Sequence, residues 1–457
     1  MNVPTRLCDL PIAEAAALLE QGKATSEAVV ASCLERIDAL EPKVQAWALV
    51  DRRGALDAAR RCDQEMRDGR RRGPLHGIPM GLKDIIFTAG MKTEAGSRSW
   101  AGHVPSYDAT CVHRLKEAGA VILGKTHTTE FACYDPAPTR NPWNAAHTPG
   151  GSSSGSGAAV AAGMCLAALG TQTGGSTLRP AAYNGVVGLK PQVGRVSTHG
   201  LVPVSRAFDH VGILAHTVED AAIVLQAIAG LDPQNPYTLD EPVPDYRAFV
   251  DSQGTAPAIG LVRDYFFEQA GDEMRQHTEA VVERLRKAGA AVRDITLPPS
   301  FHGIPDAHMT LLFADCASHH EEVFAARKEQ YGPGIRSMVE KGLSIPATAY
   351  ARALHVHAQA CADMASVVRG VDALLTPGAT GPAPKDLSTT GNAAMQMPWS
   401  HLGYPAVSLP SGLSREGLPL AVQLVGQPRG EAQLFAVARW CEKALGTRLR
   451  PPLESLR

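Results

Sequence analysis

Apolar residues at Val30, Cys33, Leu34, Ile37 and Leu40 follow Thr25 and Ser26, two residues suited to cap a helix start. Spacing by threes and fours predicts an amphipathic helix lying on a core. Between Gly77 and Ile86 the period shortens to two, with Ile78, Met80 and Leu82 on one face and Pro79, Gly81 and Lys83 on the other. This alternation predicts a strand on which Lys83 shares its face with small residues. Cys111–Ala118 reads as a helix stopped by Gly119, and Ala120–Leu123 as a fully buried strand. A similar order returns later, with a strand at Ile259–Val262, a helix at Asp272–Ala288, Gly289, and a strand at Val292–Ile295. Strands alternating with helices over so much of the chain predict an α/β protein with a large central sheet and helices on both faces.

No repeat or clean linker divides the 457 residues. The Pro-rich stretches Pro233–Pro244 and Thr376–Lys385 are short and read as surface loops, so a single domain over residues 1–457 is expected. Lys and Arg number 44 against 46 Asp and Glu, a net charge of −2, so no overall field recruits nucleic acid or an anionic membrane. The one dense basic run, Arg67–Arg72, reads as the solvated end of a helix. The expected ligand is therefore small, with no nucleic-acid or membrane partner. Nine cysteines occur singly, without metal or redox spacing, and imply reduced thiols. No signal sequence and no apolar run of about 18 residues is visible, so a cytoplasmic location is expected.

Candidate chemistry begins at Pro149–Gly157, a run of glycine and serine. Such a run makes either a flexible linker or a tight turn that presents serine hydroxyls inside the protein. It leads straight into Ala158–Ala168, small and apolar throughout, which must be buried. A second cluster, Gly170–Ala181, closes that stretch and contains Gly174-Gly175-Ser176. Glycines before a serine let successive backbone N–H groups converge on one point, as an oxyanion hole requires. Lys83 supplies a candidate base.

Gly150–Gly157 with Ala158-Ala159-Val160-Ala161, then Thr173-Gly174-Gly175-Ser176 with Arg179-Pro180-Ala181, resembles the signature of the amidase signature family. The resemblance extends to His76–Asp84, Gly124-Lys125-Thr126, Asn141–Asn144, Asp209–Gly212, Asp372–Pro377 and Gly403–Ala406, in family order. It covers nearly the whole chain, and its signature core runs over about residues 70–215. The resemblance implies the amidase signature fold and a Ser-Ser-Lys triad of Ser176, Ser152 and Lys83. It also implies a cis peptide before Ser152 and oxyanion donors on the backbone of Thr173, Gly174, Gly175 and Ser176. No metal and no cofactor is implied. Lysine serves as a base only when neutral, so burial must lower its pKa from about 10.4.

The activity implied is hydrolysis of a linear amide of a small molecule through a Ser176 acyl-enzyme, releasing a carboxylic acid and ammonia or an amine. Three alternatives stay open. They are a carbamate or urea-type hydrolase, the amidase subunit of a transfer-RNA amidotransferase, and an inactive scaffold homologue. A homodimer is compatible with the sequence. Two positions depart from the common family pattern: Gln172 stands where aspartate is usual, and Leu178 where arginine is usual. Arginine occurs instead at Arg179, either reaching into the pocket to hold a substrate carboxylate or carbonyl, or bracing the loop through backbone carbonyls. The histidines, His319-His320 included, show no metal spacing and read as surface or pocket-wall residues. The segment from about 300 to 355 carries the weakest resemblance and is expected to line the substrate pocket.

Overall fold

The structure, a computed structural model, describes residues 6–251 and 255–456. Its centre is one sheet of eleven strands: β1 (Trp47–Val50), β2 (Pro79–Lys83), β3 (Val121–Thr126), β4 (Ala167–Gln172), β5 (Val187–Lys190), β6 (His210–Ala215), β7 (Ala258–Val262), β8 (Ala291–Ile295), β9 (Ala373–Pro377), β10 (Ala406–Leu413) and β11 (Pro419–Val425). They lie in the order β1-β3-β2-β4-β6-β5-β10-β11-β9-β7-β8. The sheet is mixed. β3, β2 and β4 run parallel, as do β8, β7 and β9, while antiparallel pairs from β4 through β11 to β9 join the two parallel groups. Helices cover both faces, giving the α/β architecture expected of the amidase signature fold.

The elements read from periodicity form close to where the pattern puts them. The first helix of that set spans Ser26–Val44, and the Thr25 side chain accepts from the Ala28 N–H as its cap. Strand β2 is buried at all five residues, so the alternation marks two neighbouring layers rather than an inside and an outside. β3 runs on to Thr126, beyond the apolar stretch, because the buried Lys125 and Thr126 continue the pairing with β2. The run Arg67–Arg72 is the exposed end of helix Arg52–Arg67, and its arginines pair with Glu20, Glu65 and Asp68.

One reading is corrected. Thr376–Lys385 is not a surface loop throughout: Thr376 and Pro377 belong to β9, and the segment is buried through Ala379. Its prolines sit beside paired backbone, since Gly378 N–H donates to Ala421 O and Gly378 O accepts from the Gln396 side chain. The Gly/Ser run is likewise no linker. Ser154–Ala161 is a helix with every residue through Val160 buried. At Gly155 a Cβ would come within 2.1 Å of Ala46 O, so only glycine lets this helix approach the β1 entry so closely.

Candidate active site

Lys83 ends β2, between β3 and β4, and is fully buried. Its Nζ lies 2.7 Å from Ser152 Oγ and 2.7 Å from Thr171 Oγ1, the latter on β4. Burial lowers its pKa to about 7, against a smaller upward pull from Asp209. Asp209 is itself pushed up to about 6 by burial, although it accepts from Thr173 Oγ1 and from the N–H groups of Val204 and Ser205. The amine and this carboxyl are thus held near the neutral range from opposite sides.

Ser152 follows a cis Gly151–Ser152 peptide, as the resemblance implied. The serines around it are bonded to backbone. Ser153 Oγ donates to Thr171 O at 3.2 Å and accepts from Thr171 N–H at 3.1 Å, while Ser153 N–H donates to Ser176 O at 3.1 Å. Ser154 Oγ donates to Gly150 O and Ser156 Oγ to Leu169 O. These bonds lock the first Gly/Ser cluster to β4 and to the second cluster. Ser152 and Ser176 both line one cavity of about 540 Å³, together with Thr173, Gly174, Gly175 and Arg179. The N–H groups of Gly174, Gly175 and Ser176 donate to no protein acceptor among the described residues, which leaves them free for a ligand oxygen.

Gln172 and Leu178 have a joint explanation. Gln172 Oε1 accepts from Thr177 N–H and Leu178 N–H, each at 2.9 Å, and its Nε2 donates 3.0 Å to Ser400 Oγ. Ser400 Oγ in turn donates to Gly174 O at 2.6 Å. A neutral amide therefore clamps both sides of Ser176. Leu178 packs into an apolar cluster with Trp399 and Phe266, where an arginine would be an unpaired buried charge.

Arg179 satisfies parts of both readings given above. Its Nη2 donates to Gly151 O at 2.7 Å and to Thr390 Oγ1 at 3.0 Å, and it lines the cavity. It is 6% exposed and its Nε has no partner among the described residues. No carboxylate among the described residues pairs with it. Loop bracing thus uses one nitrogen of a guanidinium that has no counter-charge.

From the segment at about 300–355, His308, Met309, Leu312 and Met338 line this cavity. The sequence reading passed over four residues: Thr171, Asp209, Ser400 and His308. Thr171 had a signal, since it lies next to a noted departure at Gln172, and Asp209 had one in its family-like motif. Ser400 and His308 had none, because they reach the site only through the tertiary fold. Of the histidines, His319 is exposed and His320 is buried against Phe131 and Tyr331. One cluster away from the cavity, Cys62, Glu65 and His76, brings three candidate ligand atoms within 4.8 Å. Arg72 is ion-paired to its glutamate, a positive charge that opposes a cation there.

The amidase family model matches residues 28–435, and the chain belongs to that family. It is a C–N hydrolase by family. It is 36% identical to a glutamyl-tRNA(Gln) amidotransferase subunit from Myxococcus xanthus, over 96% of this chain and 98% of the relative. The corresponding subunit from Roseiflexus castenholzii is 37% identical, over 98% of each chain. Among solved structures, the native peptide amidase of Stenotrophomonas maltophilia superposes with a TM-score of 0.87 at 34% identity, covering 98% of this chain and 99% of that one. The resemblance read from the motifs is borne out.

These relatives correct the expected partners. An exclusively small-molecule amide or carbamate partner, with nucleic acid excluded, is contradicted by full-length relatives named for glutamyl-tRNA(Gln). Net charge was the wrong test. A value near zero excludes a uniformly basic surface, and says nothing of how charge is distributed over it. No helix among the described residues is long and apolar enough to cross a membrane.

Proposed function

We propose that the chain hydrolyses a carboxamide through an acyl-enzyme at Ser176, with Ser152 as proton relay and Lys83 as base. The observation that carries the reading is a buried lysine amine, with a pKa near 7, at 2.7 Å from a hydroxyl in the cavity that also holds Ser176. Ser176 Oγ attacks the amide carbon while its proton passes to Ser152 and the Ser152 proton to Lys83. The oxyanion is met by the free N–H groups of Gly174, Gly175 and Ser176, with Thr173 as a further donor. Collapse breaks the C–N bond, the proton returns to the leaving nitrogen, and ammonia departs. Water then repeats the sequence on the ester and releases the carboxylate. Arg179 is assigned to a carboxylate carried by the acyl portion.

The setting its relatives support is the amide-hydrolysing step of an amidotransferase, in which the ammonia serves a partner protein that works on glutamyl-tRNA. A second reading, an amidase that works by itself, is favoured by one observation. The aspartate and arginine usual in the family are replaced by the neutral Gln172 clamp and by Leu178, and an arginine stands instead at position 179. Ammonia release by the purified chain separates them. In the first reading the isolated chain hydrolyses little beyond glutamine or asparagine. Fast turnover of half-amides such as succinamate by the isolated chain supports the second. A fluorophosphonate probe that labels Ser176 in neither substrate regime removes both.

A further inference from the structure

His308, on helix Ile304–Arg327, is 1% exposed and lines the same cavity as Ser176. Neither of its ring nitrogens has a hydrogen-bond partner among the described residues. A Cβ built on Gly174 would lie 3.9 Å from His308 Nε2, whereas one on Gly175 would lie 3.3 Å from Arg179 Nη1. The two side chains thus flank successive residues of the turn that precedes Ser176. Ring contacts fix the imidazole. Phe208 lies 5.0 Å from it and His401 5.6 Å, centroid to centroid, and Phe208 stacks on His401 at 5.2 Å. Val204, Met309 and Leu312 add apolar surface to the same cavity.

A buried polar side chain with no hydrogen bond is costly, and here two nitrogens of one ring are left so. A histidine kept for packing alone ordinarily pairs at least one of them. Burial, with His357 nearby, pushes the His308 pKa down to about 3, so the ring is uncharged at any working pH. A neutral imidazole offers one donor and one acceptor. Its complement is an uncharged polar group, such as an amide or a hydroxyl, rather than a second carboxylate.

We propose that His308 is a specificity-determining residue that receives an uncharged hydrogen-bonding group of the substrate, while Arg179 holds its carboxylate. The substrate class is then an acidic carboxamide bearing a second, neutral polar group. This inference rests on the reading of Ser176 and Arg179 given above and, within it, on the amidase that works by itself, since glutamine and asparagine carry a charged ammonium rather than a neutral second group. His308 lies outside the Lys83–Ser152 pair, so it is assigned recognition and no proton transfer.

The test compares binding and turnover. Calorimetry measures glutarate against 2-hydroxyglutarate and N-acetylglutamate, and succinate against malate, on the wild type, His308→Phe and His308→Asn. The matching half-amides are assayed for ammonia release. The wild type is expected to bind at least one polar-substituted acid about fivefold more tightly than its plain parent. His308→Phe, which keeps a ring of similar shape, should bring that ratio to about one, and His308→Asn should restore part of it. An unchanged ratio in His308→Phe, or a wild type indifferent to every substituent, overturns the proposal. If His308→Phe does not fold, the loss is read from His308→Leu and the rescue from His308→Asn. Failure of the amidase reading looks different: no ammonia from any amide and no labelling of Ser176, while the binding ratio still reports on His308.

Discussion

Residues 149–191 and the helical layer from Ile304 to Val367 meet at one cavity and are built by opposite means. In the first, small residues and short hydroxyls are buried together, and Ser153, Ser154, Ser156 and Gln172 each commit their polar atoms to backbone or to a neighbouring hydroxyl. In the second, long helices present mixed faces; Ala347–Val367 buries only Ala353, Ala360 and Met364. This layer reaches the cavity with His308, Met309, Leu312 and Met338, of which the polar member is unpaired. The comparison teaches where each property is stored. On the reading proposed above, reaction geometry is held by backbone that cannot shift without breaking several bonds, and selectivity by side chains that change without disturbing the sheet.

The largest effect belongs to the first region. Ser176→Ala should abolish turnover and leave the circular dichroism spectrum and substrate binding in place, because the side chain makes no bond that holds the fold. Residual activity above about one part in a thousand removes Ser176 from the nucleophile role. Lys83→Met should lower kcat by orders of magnitude with a small change in KM. The wild type should lose activity with unit slope as pH falls through about 7, where Lys83 gains its proton. A profile flat to about pH 5 contradicts the base assignment.

The same lysine makes a stability prediction of the opposite sign to its catalytic value. Its native pKa lies below the unfolded one, so between about 7 and 10.5 the unfolded chain binds the extra proton. Lys83's own contribution to stability therefore falls as pH drops across that window and stays low beneath it. Lys83→Met should be more stable than the wild type at pH 7, on the order of a few kcal/mol, with the gap closing towards pH 10.5. Urea denaturation at the two pH values reads it. A variant no more stable at pH 7 means that the buried amine has compensation beyond Thr171 and Ser152.

Gln172→Leu sharpens the contrast, since it removes a clamp without touching a reacting group. Losing the acceptor for Thr177 and Leu178 N–H and the donor to Ser400 should cost roughly tenfold to a hundredfold in kcat, with KM little changed. Gln172→Asn, too short to span both sides, should recover little. Equal loss in kcat and stability, with normal kcat in the fraction that folds, makes Gln172 a structural residue only.

Legibility followed the same division. The turn and its serines were readable because glycine and serine in that density have few uses, and because strand periodicity put Lys83 among small residues. Burial of β2 on both sides, and of Thr376–Ala379, was not. A two-residue period does not tell which faces are covered once helices pack on both, and proline-rich composition is shared by loops and strand ends. Thr171 as the second partner of Lys83 depends on the β2–β4 register, a long-range pairing with no local mark. His308 and Ser400 lie 132 and 224 residues from Ser176 in sequence (308 − 176 and 400 − 176), so only the fold brings them in. The exclusion of a nucleic-acid partner failed for a different reason: net charge is one sum over the chain and does not report how charge is distributed.

The smallest predicted effect lies at the border of the two regions. Arg179 stands on the signature segment, yet faces the cavity as a selectivity residue would. Arg179→Gln keeps a donor for Gly151 O while removing the charge. If bracing is its main work, KM should move alike for acidic and neutral amides, and kcat should absorb most of the loss through the turn before Ser152. If it holds a carboxylate, KM for succinamate should rise about tenfold or more, while that for a neutral amide of equal length, butyramide, changes less than about twofold. The buried guanidinium without a counter-charge favours the second outcome: burying it alone is unfavourable, and an anionic substrate relieves that cost when it binds. Equal changes for the two amides would return Arg179 to the scaffold and leave selectivity entirely to the helical layer.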